Sequence, residues 1–240
     1  MSTSPLALVT GAARRLGRIF ALTLARNGYD LILHYRRSAE QAEQTRAEIE
    51  ALGVRAILAS ADLTDPDQIE SLFRVVDAQD SPLRILVNSA AVMSAGDLRT
   101  LSLQEWDAAL NLNLRAPFLM AQQAARRMTQ GGLIVNISDV GARKSWTGFP
   151  AYAVSKAGVE VLTRLLARTL APDIRVNAIA PGLILPGAQV PSERWEQLVK
   201  RLPLQRAAHP EEIALTLEFL IKNEYITGHV LTLDGGYALL

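Results

Sequence analysis

The chain has 240 residues, 49% of them hydrophobic, with 25 Lys plus Arg against 24 Asp plus Glu. That length suits one α/β domain with a sizeable core, so residues 1–240 are expected to form a single domain, and the near-neutral balance gives no reason to expect nucleic acid or an anionic membrane as partner. The absence of cysteine excludes disulfides, thiolate metal sites and a cysteine nucleophile, and His34, His209 and His229 are too scattered for a metal site.

The start, Met1-Ser-Thr-Ser-Pro5, has no basic stretch leading into an apolar run, and no run approaches the ~20 apolar residues that cross a bilayer. A soluble cytoplasmic protein is expected. Short apolar runs then alternate with amphipathic stretches. Leu6–Thr10, Asp30–Tyr35, Val54–Ala59, Arg84–Asn88, Leu133–Ser138, Ile174–Ile179 and Val230–Leu233 read as buried strands. Between them Leu16–Asn27, Ala39–Leu52, Asp67–Ala78, Ser102–Met128, Ala151–Ala171 and Pro210–Lys222 read as helices. Strict alternation implies an α/β fold, a parallel sheet covered on both faces. The least regular stretch, Pro181–Pro191, carries three prolines and two glycines and is a candidate lid.

Two places in this order carry chemistry. Thr10-Gly11-Ala-Ala-Arg14-Arg15-Leu16-Gly17 joins the first strand to the first helix, where glycine admits a pyrophosphate to free helical N–H groups, although the spacing is not G-x-G-x-x-G. The second strand runs into His34-Tyr35-Arg36-Arg37-Ser38 with no acid to bind ribose hydroxyls. Guanidinium groups and a hydroxyl there favour a ribose 2′-phosphate, and so NADPH over NADH; Arg14 and Arg15 stand nearby to join them. Further on, Tyr152 and Lys156 lie one helical turn apart on one face. The ammonium is expected to favour the phenolate and make Tyr152 a better general acid.

Taken in order, Thr10-Gly11…Gly17, Asp62-Leu63, Asn88-Ser89-Ala90, Asn113, Tyr152…Lys156, Asn177 and Pro181-Gly182 resemble the short-chain dehydrogenase/reductase family along essentially the whole chain. The resemblance implies a Rossmann-type domain with a seven-stranded parallel sheet, a nicotinamide cofactor, and reduction of carbonyl or imine groups. It assigns catalysis to Tyr152, Lys156 and Asn113. It assigns the cofactor to the first loop, residues 34–38, Asp62, Leu63, Asn88, Ser89, Ala90, and Pro181-Gly182-Leu183-Ile184. Tetramers are usual in the family.

Where the family has a catalytic serine, thirteen residues before the tyrosine, this chain has Asp139, and Arg15 replaces the middle glycine of the first loop. With the run at residues 34–38, Pro191-Ser-Glu-Arg-Trp195-Glu and Tyr225…Asp234-Gly-Gly-Tyr237, these resemble the pteridine reductases, which reduce pterins and folates with NADPH. The resemblance places Arg15, Met93, Asp139, Tyr152 and Trp195 at the substrate. Met93 stands near where that subgroup has a stacking aromatic, and Trp146, Phe149 or Trp195 are the candidates to replace it. A carboxylate repels a developing oxyanion but accepts from ring N–H and amino groups, so Asp139 favours an imine or pterin over a ketone. The alternatives are a ketone reductase of the same family, acting on a 3-oxoacyl thioester, and an NADPH sensor without turnover.

Overall fold

The computed structural model describes residues 4–144, 146–187 and 190–240. Ala188 and Gln189 of the candidate lid, and residues 1–3 of the start, lie outside them. The strands are β1 (Leu6–Val9), β2 (Asp30–Tyr35), β3 (Ala56–Ser60), β4 (Leu83–Asn88), β5 (Gly132–Ile137), β6 (Ile174–Pro181) and β7 (Val230–Leu233). They form one parallel sheet in the order β3-β2-β1-β4-β5-β6-β7. Strands buried on both faces read as unbroken apolar runs, and the two faces separate with period two. Ala7, Val9, Ile85, Val87, Leu133 and Val135 face one core, with Phe20, Leu24, Ile213 and Leu217. Leu6, Leu8, Leu86 and Ile134 face the other, with Ile69, Phe73 and Met120. Burying a side chain such as Phe20 or Phe73 contributes ~1.5–3 kcal/mol.

The helices are α1 (Arg15–Arg26), α2 (Ala39–Glu50), α3 (Pro66–Asp77), α4 (Leu103–Leu110), α5 (Ala116–Ala125), α6 (Pro150–Leu170), α7 (Ser192–Arg201) and α8 (Pro210–Lys222). Local chemistry sets several starts. Asp65 accepts from the Asp67 N–H with Pro66 in the first turn of α3, and Ser102 and Glu105 form a reciprocal capping box at α4. β1 and β4 are neighbours, so the chain leaves β1 towards β2 and returns on its other side. The crevice at that reversal, outside the carboxyl ends of the strands, is where such sheets bind ligands.

Two expected elements differ. The single helix over Ser102–Met128 is instead α4, a π-helical turn at Asn111–Arg115, and α5. Pro117 has no N–H for the Asn113 carbonyl, and the Ala116 N–H reaches back five residues to Asn111. The stretch from Pro191 to Glu196, outside the helices read from the sequence, lies largely in α7. None of its residues is fully buried, and its apolar face is the short stripe Trp195, Leu198 and Val199, half-buried at helical spacing. Within the described residues no helix is long and apolar enough to cross a membrane, and no three potential ligands gather around a metal.

Candidate active site

At the crevice the ends of β1, β4, β5 and β6 open into a cavity of about 1170 Å³. Its reaction end is built by β5 and α6. Strand alternation turns Ser138 away, its Oγ near Glu160 Oε1 (3.3 Å), and presents Asp139 to the cavity. Asp139 Oδ1 accepts from the Gly141 N–H at 2.7 Å, so it does cap the following turn. Its Oδ2 accepts from the Tyr152 hydroxyl at 2.8 Å. One carboxylate therefore both fixes the loop and holds the phenol. Lys156 is buried and donates to the Ile137 carbonyl at 2.6 Å, with its Nζ 5.7 Å from the Tyr152 ring centre.

The electrostatics reverse one expectation. Burial raises the Tyr152 phenol well above its ordinary value, and the charge and hydrogen bond of Asp139 raise it further. Tyr152 thus keeps its proton at neutral pH, because burial and Asp139 outweigh any pull of Lys156 towards the phenolate. Burial also raises the Asp139 carboxyl, against the Gly141 N–H, the Tyr152 hydroxyl and Lys156, and lowers Lys156 to about 8. Asn113, in the π-helical turn, is buried and binds the Val92 backbone twice. Its Oδ1 accepts from the N–H and its Nδ2 donates to the C=O, both at 2.8 Å, and Nδ2 also reaches Ser155 Oγ at 3.0 Å. It holds the loop after β4 that carries Met93.

The nucleotide end is built from backbone. Gly11 has φ +66°, and a Cβ there would meet Ala90 Cα at 3.1 Å; a methyl at Gly17 would fall inside the Gly11 carbonyl. Thr10 Oγ1 accepts from the N–H groups of Ser89 and Ala90 at 2.9 and 3.0 Å, tying the β1 and β4 ends together. His34, expected at the cofactor, is buried with both ring nitrogens engaged. Nδ1 accepts from the Gly11 N–H at 3.1 Å and Nε2 lies 3.0 Å from the Ala61 carbonyl. Burial lowers the ring to about 4. The neutral tautomer with its proton on Nε2 satisfies both bonds, so His34 braces the loop. Arg14, Arg36 and Arg37 are exposed at the rim beside Tyr35 and Ser38, while Leu16, Leu63, Ser89 and Ala90 continue the wall. Asp62 turns its carboxylate onto the Thr64 N–H and hydroxyl, 3.5 Å from Arg36 Nε. Asn88 lies under the site, donating to Asn136 Oδ1 at 2.9 Å. Close-approach glycines, a braced loop and a cationic rim with no acid at the carboxyl end of β2 fit a dinucleotide bearing a 2′-phosphate.

A family profile described as enoyl-(acyl carrier protein) reductase, of the short-chain dehydrogenase type, matches residues 11–238. The chain belongs to the short-chain dehydrogenase/reductase family. It is an oxidoreductase of that nicotinamide-dependent group. It is 37% identical to a 3-oxoacyl-[acyl-carrier-protein] reductase of Staphylococcus aureus, over 98% of this chain and 99% of that one. Among solved structures it resembles the FolM alternative dihydrofolate reductase 1 of Brucella suis in complex with NADP, at TM-score 0.93 and 35% identity over 99% and 96% of the two chains. It also resembles a blue fluorescent protein from a metagenomic library in complex with NADPH, at TM-score 0.91 and 34% identity over 98% of each chain.

Against that family pattern, Arg15 occupies the glycine position with φ +54°, a left-handed conformation rare for a side chain. Its guanidinium donates to the carbonyls of Pro186 (2.8 Å) and Leu185 (3.1 Å), fastening the candidate lid to the nucleotide loop. The lid begins with Pro181, Gly182, Leu183 and Ile184 on the cavity wall, and Met93 and Trp195 stand on it with Trp146 and Phe149. Sequence reasoning passed over Thr10 and Tyr237 as site residues, although both lay in quoted motifs: Thr10 directly precedes Gly11, and Tyr237 closes the Asp234-Gly-Gly run.

Proposed function

We propose that this protein reduces a dihydropterin or dihydrofolate with NADPH, and that Tyr152 supplies the proton to the ring nitrogen of the reduced C=N bond. The carrying observation is the Tyr152–Asp139 hydrogen bond at the reaction end. In place of a serine donor for a carbonyl oxygen, the site presents a carboxylate, which accepts from ring N–H and amino groups. The FolM likeness supports this reading. NADPH, when bound, supplies the hydride. Arg36, Arg37 and Ser38 bind its 2′-phosphate, and the Gly11–Gly17 turn admits its pyrophosphate. Lys156 fixes the end of β5 through the Ile137 carbonyl and contributes positive charge near the phenol. Tyr152 gives its proton to the substrate nitrogen, and the adjacent Asp139 carboxyl, raised by burial, returns one to the phenolate when it is protonated. The rate should therefore fall as pH rises through the raised Asp139 value. Burial opposes ionisation of the phenol, so proton transfer is favourable mainly to a basic acceptor; an imine nitrogen is more basic than a carbonyl oxygen.

A second reading, a 3-oxoacyl thioester reductase, is supported by the Staphylococcus relative and opposed by Asp139. NADPH oxidation followed with 7,8-dihydrobiopterin, dihydrofolate and an acetoacetyl thioester side by side separates the two. Turnover of either reduced pterin without the thioester supports the first, and thioester turnover alone replaces it with the second. As part of the same proposal residues 1–240 act as one catalytic domain and assemble as a homotetramer. Exposed Phe118, Val154, Val161 and Leu165 on α5 and α6 offer an apolar face for that assembly. Sedimentation equilibrium at four times the chain mass is the expected result.

A further inference from the structure

The aromatic residue missing at Met93 has a counterpart elsewhere on the cavity wall. Trp146 and Tyr237 both line it, with ring centres 6.0 Å apart and planes inclined at 46°, and Phe149 meets Trp146 edge-on at 6.2 Å. Trp146 is fixed above the turn that carries Asp139. A Cβ on Gly141 would lie 2.7 Å from the indole, and the Gly141 N–H is the donor that holds Asp139 Oδ1. The indole is thereby tied to the carboxylate's own turn. Tyr237 comes from a short 3-10 segment, Tyr237–Leu239, that follows two glycines with positive φ. It is held by Lys144, whose Nζ donates to the Tyr237 carbonyl at 2.9 Å and the Leu240 carbonyl at 2.7 Å. The same ammonium lies 4.8 Å from the Tyr237 ring centre, within cation–π range. A solvated surface lysine has no reason to make all three contacts. Gly96 donates to the Gly148 carbonyl at 2.9 Å, joining the Met93 side of the cavity to this one.

We propose that Tyr237, backed by Trp146, is a specificity-determining residue that receives the flat ring of the substrate, and that Lys144 is the positioning residue that holds it there. This rests on the ring-reduction reading above and adds to it which side of the cavity recognises the heterocycle. Aromatic rings select flat partners by offset or edge contacts that a flexible acyl chain cannot reproduce. Asp139 then reads the polar edge of a ring whose face the wall has set.

The test uses the full chain saturated with NADP+, which has no hydride to give, and calorimetric titration with 7,8-dihydrobiopterin. Tyr237→Ala should weaken binding about tenfold, the scale of one aromatic pair. Tyr237→Phe should bind like the parent, since the ring and not the hydroxyl is required. Lys144→Ala should weaken binding about threefold and Lys144→Arg should restore it, a rescue that loss of bulk alone does not give. In turnover with NADPH the losses should fall on KM rather than kcat. NADP+ affinity checks folding in every variant, and Tyr237→Leu replaces the alanine variant if that one loses NADP+. Parent-like dihydropterin binding by a folded Tyr237→Ala or Tyr237→Leu protein overturns this inference and leaves the ring-reduction reading standing. A parent protein that binds NADP+ but no dihydropterin overturns both.

Discussion

The two ends of the cavity are built by different means. At the nucleotide end, backbone and buried side chains bond one another: Gly11 to His34, His34 to Ala61, Thr10 to Ser89 and Ala90. These residues sit at the tips of strands whose registers are fixed by two cores, so their places follow from the sheet. At the reaction end only Asp139, Tyr152 and Lys156 share that support. The walls are a loop, a half-buried helix and a short 3-10 segment, and the loop and the 3-10 segment are each held by a single cation: Arg15 on Leu185 and Pro186, Lys144 on Tyr237 and Leu240. Disturbance of the first end should therefore cost affinity for cofactor and stability. Disturbance of the second should cost rate and selectivity while the fold survives.

Tyr152→Phe tests the second half of that contrast most severely. Turnover should fall ~10²-fold or more while NADP+ affinity and melting temperature stay near parental, because the phenol bonds only Asp139 and its ring stays packed. At the first end, replacing Arg36 and Arg37 together by Ala should reduce the preference for NADPH over NADH about a hundredfold. Each lost charge-assisted bond costs ~1.5–3 kcal/mol, and kcat should be spared. Equal use of both cofactors by the parent protein would remove the 2′-phosphate from the picture.

His34 gives the stability arm. It is buried neutral at about 4, below its ordinary 6.5, so the unfolded chain binds a proton that the folded one refuses in that window. Stability is complete above pH 6.5 and declines as pH falls towards 4, by about 2–3 kcal/mol from this residue. Urea unfolding at pH 7, 5.5 and 4 should show that loss, and His34→Gln should flatten it. The smallest effect, and the sharpest division between the ends, belongs to Arg15→Gly. Relief of the left-handed conformation, worth ~1 kcal/mol, offsets part of the two exposed bonds lost, so the melting temperature should fall by only a few degrees. The loosened lid should raise the pterin KM several-fold.

The contrast also explains what the sequence made legible. Buried parallel strands write themselves as apolar runs, and the glycine turn and the Tyr152–Lys156 pair follow from local pattern and spacing, while Asp139 came into view through the family resemblance. Pro117 breaks the helix over Ser102–Met128, and only its tertiary place shows that the break is a π-helical turn presenting Asn113 to Val92. Helix α7 carries Trp195, Leu198 and Val199 at helical spacing on a half-buried face, a short stripe that the proline-rich stretch before it masked. The direction of the Tyr152 shift depends on how deeply the ring is buried and which way the Asp139 carboxylate turns, and neither is a property of spacing. Arg15 and Lys144 reach across 171 and 96 residues, far outside any window in which side-chain pairs follow a helical or strand period.

The exchange of a serine for Asp139 bears most weight, and Asp139→Ser probes it directly through kcat/KM for 7,8-dihydrobiopterin and for an acetoacetyl thioester in one preparation. The expected result is a fall of about tenfold or more with the dihydropterin, disappearance of its decline with rising pH, and no fall with the thioester. Dihydropterin turnover left intact by the serine, or equal losses on both substrates, would contradict the assignment of ring recognition and proton return to Asp139.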